Sequence, residues 1–325
     1  MHTQTLNRLL ADLERDGIAV FPEFLSKEQF LGMRTAFESR LRCMRWNTSD
    51  GYEKTERHRR MVQDVLALDQ GFVDAALHPV VKDVLREYVG DSYELVEAKG
   101  WQSLPTRRDF HGWHGDAWYD QSTVKHIPRE VKLGIYLSDV NSGFFQYIKG
   151  SHRKQHPRPV RNEELRSVPA SDVIDVRGRA GSGFLFDTSG VHRQSVPVLE
   201  PRYAVFFNYH DPKVPLQSED IEGYRYHPLM LNAAFLGGLS EDDRRIFGFG
   251  NKQNYNRNFV RDSPYSGIQK AFQRVVDARL LLDNLTERVR ARLTRLRRRP
   301  HIKGDNPGPP DGNCRQSSSA VPRSG

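Results

Sequence analysis

The sequence predicts a mainly β fold with flanking helices. Three observations predict it. Between residues 93 and 211, six short runs rich in β-branched and aromatic residues follow one another: "YELVEAKGW", "VKLGIYLSDV", "FFQYIKG", "SDVIDVRG", "GSGFLFDT" and "RYAVFFNYHD". Gly, Pro, Asn or Asp punctuate them, and no helical periodicity intervenes, which fits an antiparallel sandwich or barrel. Residues 1–92, by contrast, read as mainly helical and are expected to pack outside that core. Hydrophobic residues make up only 37% of the 325, so part of the chain lies outside any core.

The elements follow in order. Leu6, Leu9, Leu10 and Leu13 share one face of a short helix that Asp16-Gly17 ends. "IAVFPEFL" is a short strand with a proline turn. Ser26 is a good N-cap for a helix with Phe30, Met33, Phe37 and Leu41 on one side. Segments 60–77 and 79–89 read as two more helices, with Pro79 near the start of the second. The β core at 93–211 comes next. The irregular stretch 212–266, rich in Tyr, Asn, Gly and Pro, reads as a lid or binding insert. A long helix is expected over 267–299. Ile268, Val275, Leu282, Val289 and Leu296 recur every seven residues, with Phe272 and Leu285 as partial second positions. Packing of 267–285 on the body is the expectation, and a monomer or a homodimer remains open. Residues 300–325 have the composition of a disordered tail. The organisation expected is one domain over 1–266, a C-terminal helix and a tail.

Charge and cysteine content narrow the class. The net charge is +8, yet segment 286–299 alone holds seven Arg and one Glu, so the body is near neutral. The run Arg288–Arg299 could meet nucleic acid or an anionic surface, but a solvated helix end is the simpler expectation. Two cysteines, Cys43 and Cys314, make no disulfide framework and fit a reducing, cytoplasmic setting. No apolar run has the roughly 18–20 residues that span a bilayer, and no signal peptide is evident at the N-terminus.

The chemistry concentrates in "HGWHGDAW" at 111–118. His114 and Asp116 lie two apart, so in an extended segment they point to one side and can share a cation. His192, in "GSGFLFDTSGVHRQSV", follows a strand and a turn and is the best third ligand. Two His and one carboxylate leave three coordination positions open, which suits non-haem Fe(II) and O2 chemistry. A structural zinc site would need a fourth protein ligand. Ten residues after His192, Arg202 opens a strand where its guanidinium fork could take a carboxylate. A metal with open positions beside such an Arg suits a 2-oxo acid with a distal carboxylate. Gln194 or Ser195 could add a hydrogen bond.

At this point the chain resembles a known family. "ERDGIAVFPEFLSKEQF", "VQDV", "WHGD", "YIKGSH", "GSGFLFDTSGVH" and Arg202 stand in the order and spacing of the phytanoyl-CoA dioxygenase-like proteins. The resemblance covers about 12–210. It implies a double-stranded β-helix (jelly-roll, cupin-like) core, Fe(II), 2-oxoglutarate and O2 as cofactor and co-substrates, His114, Asp116 and His192 as iron ligands, and Arg202 as the 2-oxoglutarate anchor. By the same resemblance His152 belongs to a structural turn. Two positions depart from the family: Met61, beside Arg60, stands where founding members carry a Lys, and Gln194 stands where a Ser is common. Gln102, Tyr136 and Lys132 are second-rank candidates for co-substrate contact. His111, Trp113, Trp118, Tyr119, Tyr147 and Asn208 are pocket candidates, and Asp187 shapes the turn before His192. Related halogenases have a small residue in place of Asp116, so the intact carboxylate implies hydroxylation or another oxidation, and not halogenation; the expected reaction is oxidation, foremost hydroxylation, of a C–H bond in a small-molecule metabolite or natural-product intermediate, with release of succinate and CO2. The competing readings are a jelly-roll metal-binding protein without turnover and a nucleic-acid-modifying oxygenase directed by the basic helix.

Overall fold

The computed structural model describes residues 2–43, 58–109, 112–116, 129–154, 168–212 and 229–249, with isolated positions at 165 and between 275 and 293. The chain divides into two compact units, Met1–Ala271 and Phe272–Gly325.

Unit one is built on two antiparallel sheets. The strands are β1 (Ile18–Phe21), β2 (Arg59–Val62), β3 (Glu94–Ser103), β4 (Val131–Tyr136), β5 (Val140–Ile148), β6 (Val173–Gly178), β7 (Gly183–Asp187), β8 (His192–Gln194) and β9 (Arg202–His210). One sheet runs β1-β7-β4-β9-β3-β2, and the facing sheet runs β6-β5-β8. Isolated bridges His114↔His192 and Thr106↔Val198 add to this framework. Mostly β architecture with flanking helices is the class the sequence predicts.

Strand alternation sorts the side chains into two cores. Val205, Phe207 and Tyr209 of β9, Leu185 of β7 and Leu133 and Ile135 of β4 face outward into a large apolar layer. Ala204, Phe184, Phe186 and Tyr136 face inward, where they pack with Phe145 and Tyr147 of the second sheet. A period of two along each strand places successive residues on opposite faces.

The outer layer is covered by α1 (His2–Asp16), α2 (Lys27–Cys43), α3 (Gln70–Ala76) and α4 (Pro79–Tyr88). Leu9 and Leu13 of α1 and Met33 and Phe37 of α2 are fully buried, so the helical spacing read from sequence does set the packing face. Ser26 and Gln29 form a reciprocal cap: Gln29 N–H donates to Ser26 Oγ at 3.3 Å, and Ser26 N–H donates to Gln29 Oε1 at 2.9 Å. Gly17 closes α1 at φ +82°, a conformation that favours glycine.

The strand expected at "IAVFPEFL" is β1, and one expectation about the N-terminal part changes. Segment 60–77 is not one helix: Arg59–Val62 is an edge strand on β3, with Met61 opposite Trp101, and α3 begins only after Asp69, whose carboxylate accepts from Gly71 N–H at 2.8 Å. Met61 and Val62 are bulky and apolar, so burial against the sheet wins over local helix propensity. The largely helical N-terminal part thus contributes β1 and β2, the two edges of the larger sheet.

Within the expected lid, 213–228 and 250–266 lie outside the described residues. The described stretch 229–249 instead buries Leu229, Leu231, Ile246 and Phe247 in the outer apolar layer. Its helix α5 (Glu241–Ile246) is tied to α4 by Lys82 Nζ–Asp243 at 2.6 Å.

In unit two, Val275, Leu282, Leu285 and Val289 are helical. Val275 and Leu282 are exposed residues of this unit. Of the basic run, Arg290 and Arg292 are described, and both are exposed. Ile268, Phe272, Leu296 and the tail 300–325 lie outside the described residues. Among the described residues no helix is long and apolar enough to cross a membrane.

Candidate active site

The site forms where the "WHGD" segment is laced to the turn before β8. His114 N–H donates to His192 O at 3.0 Å, and His192 N–H returns a bond to His114 O at 2.8 Å. Asp116 N–H donates to Thr188 O at 2.9 Å. The 187–192 turn is itself over-determined. Asp187 accepts from Ser189 N–H and from Tyr88 Oη, each at 2.9 Å, while Tyr147 Oη donates to Asp187 O at 2.9 Å. A Cβ on Gly190 would lie 1.8 Å from Tyr147 Oη, so only glycine fits there. Ser151 Oγ accepts from Val191 N–H at 2.8 Å, which gives the "GSH" turn a structural role. His152 is absent from the described cavity wall.

Three side chains converge. Candidate ligand atoms of His114, Asp116 and His192 lie within 4.8 Å of one another. His114 Nε2 is 3.6 Å from Asp116 Oδ1, and His192 Nε2 is 3.4 Å from Asp116 Oδ2. Each imidazole turns Nδ1 to a carbonyl, His114 to Gly112 O at 3.0 Å and His192 to Gly190 O at 2.9 Å. A carbonyl only accepts, so Nδ1 carries the proton and the Nε2 lone pair faces the gap between the ligands. Burial, with the neighbouring His192, pulls the His114 pKa down to about 4. Burial alone would raise the Asp116 pKa, but Lys132, His192 and His114 hold it well below the usual carboxylate range. At neutral pH His114 is therefore neutral and Asp116 ionised, the states a divalent metal requires. The donor set of two imidazoles and one carboxylate fits Fe(II).

A cavity of about 200 Å3 opens on these residues and also reaches Lys132, Gln194 and Arg202. Arg202 is buried, with Nη1 donating to Gly143 O at 2.9 Å and the guanidinium 5.1 Å from the Tyr136 ring centroid. Its Nε is buried and finds no acceptor among the described residues. Gln194 stands two residues past His192 on the same strand. Its Oε1 accepts from Ser103 Oγ at 3.2 Å, and its Nε2 is likewise buried without an acceptor among the described residues. Two orphaned donors in one cavity, one of them cationic, are costly unless an anion joins them. The distal carboxylate of 2-oxoglutarate fits that description.

Other predicted residues fall elsewhere. Gln102 is on the opposite face of β3, bonded to Arg60 Nη1 at 3.2 Å and Tyr203 Oη at 3.3 Å. Tyr136 faces inward, but its hydroxyl donates to Val176 O at 2.8 Å and accepts from Phe145 N–H at 3.1 Å, so little capacity remains for a co-substrate. Ser195 anchors backbone, through its N–H to Phe144 O at 2.8 Å, and is absent from the described cavity wall. Lys132 does reach the cavity, where its Nζ donates to Asp116 Oδ2 at 2.5 Å. Trp113 packs under the Arg193 guanidinium at 4.4 Å. Tyr147 stacks in parallel with His192. Asn208 is fully buried, with neither amide atom hydrogen-bonded among the described residues. His111, Trp118 and Tyr119 lie outside the described residues.

Sequence reading missed Arg59 and Ser103. Both line the cavity, and Arg59 sits opposite Ser103, which sits opposite Arg202. Reading 60–77 as a helix hid the strand parity that would have separated Arg59 from Arg60.

Comparisons with known proteins agree with this fold. Solved structures with the same fold include the epimerase SnoN from nogalamycin biosynthesis, in complex with Fe3+, alpha-ketoglutarate and nogalamycin RO. It is 18% identical with TM-score 0.52, over 68% of this chain and 90% of that one. EctD from S. alaskensis, with 2-oxoglutarate and 5-hydroxyectoine, is 20% identical with TM-score 0.50, over 65% and 77%. HygX from Streptomyces hygroscopicus, with nickel and 2-oxoglutarate, is 18% identical with TM-score 0.50, over 70% and 93%. No curated protein matches by sequence. The profile of the Phytanoyl-CoA dioxygenase (PhyH) family matches residues 13–194, more than half of the chain, and the chain belongs to that family of Fe(II)- and 2-oxoglutarate-dependent oxygenases.

Proposed function

We propose that this oxygenase hydroxylates a C–H bond of a small molecule, with His114, Asp116 and His192 holding Fe(II), and Arg202 and Gln194 holding the distal carboxylate of 2-oxoglutarate. The observation that carries the reading is the pair of buried, unaccepted donors, Arg202 Nε and Gln194 Nε2, in the same cavity as the His-Asp-His cluster. A metal-binding scaffold without turnover has no need of them.

Fe(II) with 2-oxoglutarate supplies O2 activation, at the cost of oxidising 2-oxoglutarate to succinate and CO2. The protein's own groups supply placement. The two Nδ1–carbonyl bonds fix the imidazole tautomers and ring planes. Lys132 restrains one oxygen of Asp116. Arg202 and Gln194 orient the co-substrate along the cavity. Phe145, Phe186 and Phe206 in the cavity wall limit water around the reacting carbon. With Asp116 available as a carboxylate ligand, oxidation of a C–H bond would be favoured over halogenation.

Anaerobic addition of Fe(II) and 2-oxoglutarate tests the site. A weak visible charge-transfer band should form, and it should vanish in His192→Ala. No band at saturating iron would sink the assignment. Under labelled O2, product carrying one labelled oxygen supports hydroxylation, and an unlabelled oxidised or epimerised product contradicts it.

A further inference from the structure

We infer that unit two carries a docking surface for an anionic lipid bilayer. Val275, Leu282, Leu285, Val289 and Leu293 face the acyl chains, and Arg279 and Arg292 meet the headgroups. None of these residues belongs to the iron site, and the surface stands independently of the oxygenase reading.

The apolar stripe is the first ground. Val275 is 64% exposed, Leu282 65%, Leu285 55%, Val289 54% and Leu293 54%. Leu31 and Leu199 are the only other exposed large hydrophobics among the described residues, so such exposure is concentrated in unit two. Thr286 Oγ donates to Leu282 O, four residues back, as helical side chains do. At about 100° per residue, the five apolar side chains fall within an arc of about 80°. A continuous apolar stripe left in water marks a contact surface.

Charge is the second ground, and it selects the partner. Arg279 and Arg292 are helical and exposed, and among the described residues neither has an ion-pair partner. By the same spacing Arg279 stands about 40° beyond one edge of the stripe and Arg292 about 20° beyond the other. Segment 286–299, which includes Arg292, holds seven Arg and one Glu. An apolar stripe between basic flanks complements a bilayer surface, where hydrocarbon lies beneath acidic headgroups. The arginine stems run along the apolar layer and their guanidiniums reach lipid phosphates. No helix among the described residues is long and apolar enough to cross a membrane, so this one lies on the surface.

Two other partners fit less well. Nucleic acid would use the arginines and leave the stripe in water. A second copy of the chain would use the stripe. Val275, Leu282 and Val289 share one heptad position, but the second seam position holds Ala278, Leu285 and Arg292. A short seam with an arginine in it, and like charge on both copies, opposes pairing.

The test uses the full chain and co-sedimentation with lipid vesicles. Vesicles of phosphatidylglycerol and phosphatidylcholine in about equal parts should bind about tenfold or more tightly than phosphatidylcholine alone, and added salt should weaken that binding. Leu282→Gln with Leu285→Gln, which keeps charge and helix propensity, should weaken it about tenfold. Arg279→Gln with Arg292→Gln should weaken it by a similar factor. No vesicle binding, equal binding to both vesicles, or full binding in either double variant overturns the proposal. Retention on duplex DNA that survives the leucine changes, without vesicle binding, assigns nucleic acid instead. A dimer in sedimentation equilibrium that the leucine changes dissociate, without vesicle binding, assigns a second copy instead. Either outcome overturns the lipid surface. Should the leucine variant lose helical circular dichroism before lipid is added, Leu282→Ala with Leu285→Ala takes its place.

Discussion

His114 and His192 are cross-strand partners that exchange backbone hydrogen bonds in both directions, at 3.0 and 2.8 Å. Their imidazoles, with ring centroids 4.6 Å apart, are thereby registered by the ladder and not by side-chain packing alone. Seventy-eight residues of chain separate them, yet one pair of peptide groups fixes their relative height. Anything that disturbs the turn before His192 should therefore be read at the metal.

Gly190→Ala is the first such disturbance. Its Cβ would collide with Tyr147 Oη and Cζ, and neither the buried Tyr147 nor the backbone can move freely. Affinity for Fe(II) should fall about tenfold or more, in the range found when supporting groups around metal ligands are lost. Anaerobic iron titration checks it, with circular dichroism showing that the fold persists.

Arg202→Met should raise the KM for 2-oxoglutarate by about tenfold to a hundredfold, the worth of hydrogen bonds to a charged group. Arg202→Lys should recover part of the loss, since it restores charge but not the planar fork. Succinate formation against 2-oxoglutarate concentration measures both. Unchanged KM in Arg202→Met would remove this residue from the co-substrate site.

Asp187 makes stability depend on pH. Burial raises its pKa to about 7, against the ordinary 3.8. The folded state thus keeps a proton that the unfolded chain releases. The associated stability is complete below about pH 4 and is lost as pH rises through about 7. Wild-type urea midpoints should fall between about pH 5 and about pH 8, and the fall should be smaller in Asp187→Asn. Equal slopes would show that another group is responsible.

Phe37→Ala tests the outer layer. Phe37 is fully buried and meets Tyr203 edge-on, and its ring fills the space where a Cβ on Gly100 would sit 2.3 Å away. Truncation should cost about 3–5 kcal/mol, read from the urea midpoint at constant m-value. A loss below about 1 kcal/mol would mean that the layer collapses to fill the void.

Much of the site was legible because its signals are local. His114 and Asp116 are two residues apart in an extended segment, where parity alone sets their common side. His192 follows a Gly-bounded strand and a turn. Arg202 opens a strand whose alternation can be counted. Gln102 is named from its strand alone, without a face: β3 carries a register shift between Leu95 and Glu97 opposite β9, and the side facing the cavity is that of Lys99, Trp101 and Ser103. Arg59 was hidden for a different reason. A four-residue edge strand has no period long enough to distinguish it from a helix start, and it exists because β3 is there to pair with it.

The sequence by itself determined the mainly β class, the helical faces of α1 and α2, and the residue types that can hold iron. Each of these depends on spacing within a few residues, and the family to which that pattern belongs accounts for the rest of what could be foreseen. Tertiary structure decided which hydroxyls and amides are spent elsewhere. Tyr136 is committed to Val176 and Phe145, Lys132 to Asp116, while Arg202 Nε and Gln194 Nε2 are left without acceptors. It also placed Arg59 on Trp101 within the row that ends at Arg202. The physical reason is that hydrogen-bond satisfaction is settled between groups distant in the chain, and only the assembled sheets bring those groups within bonding distance.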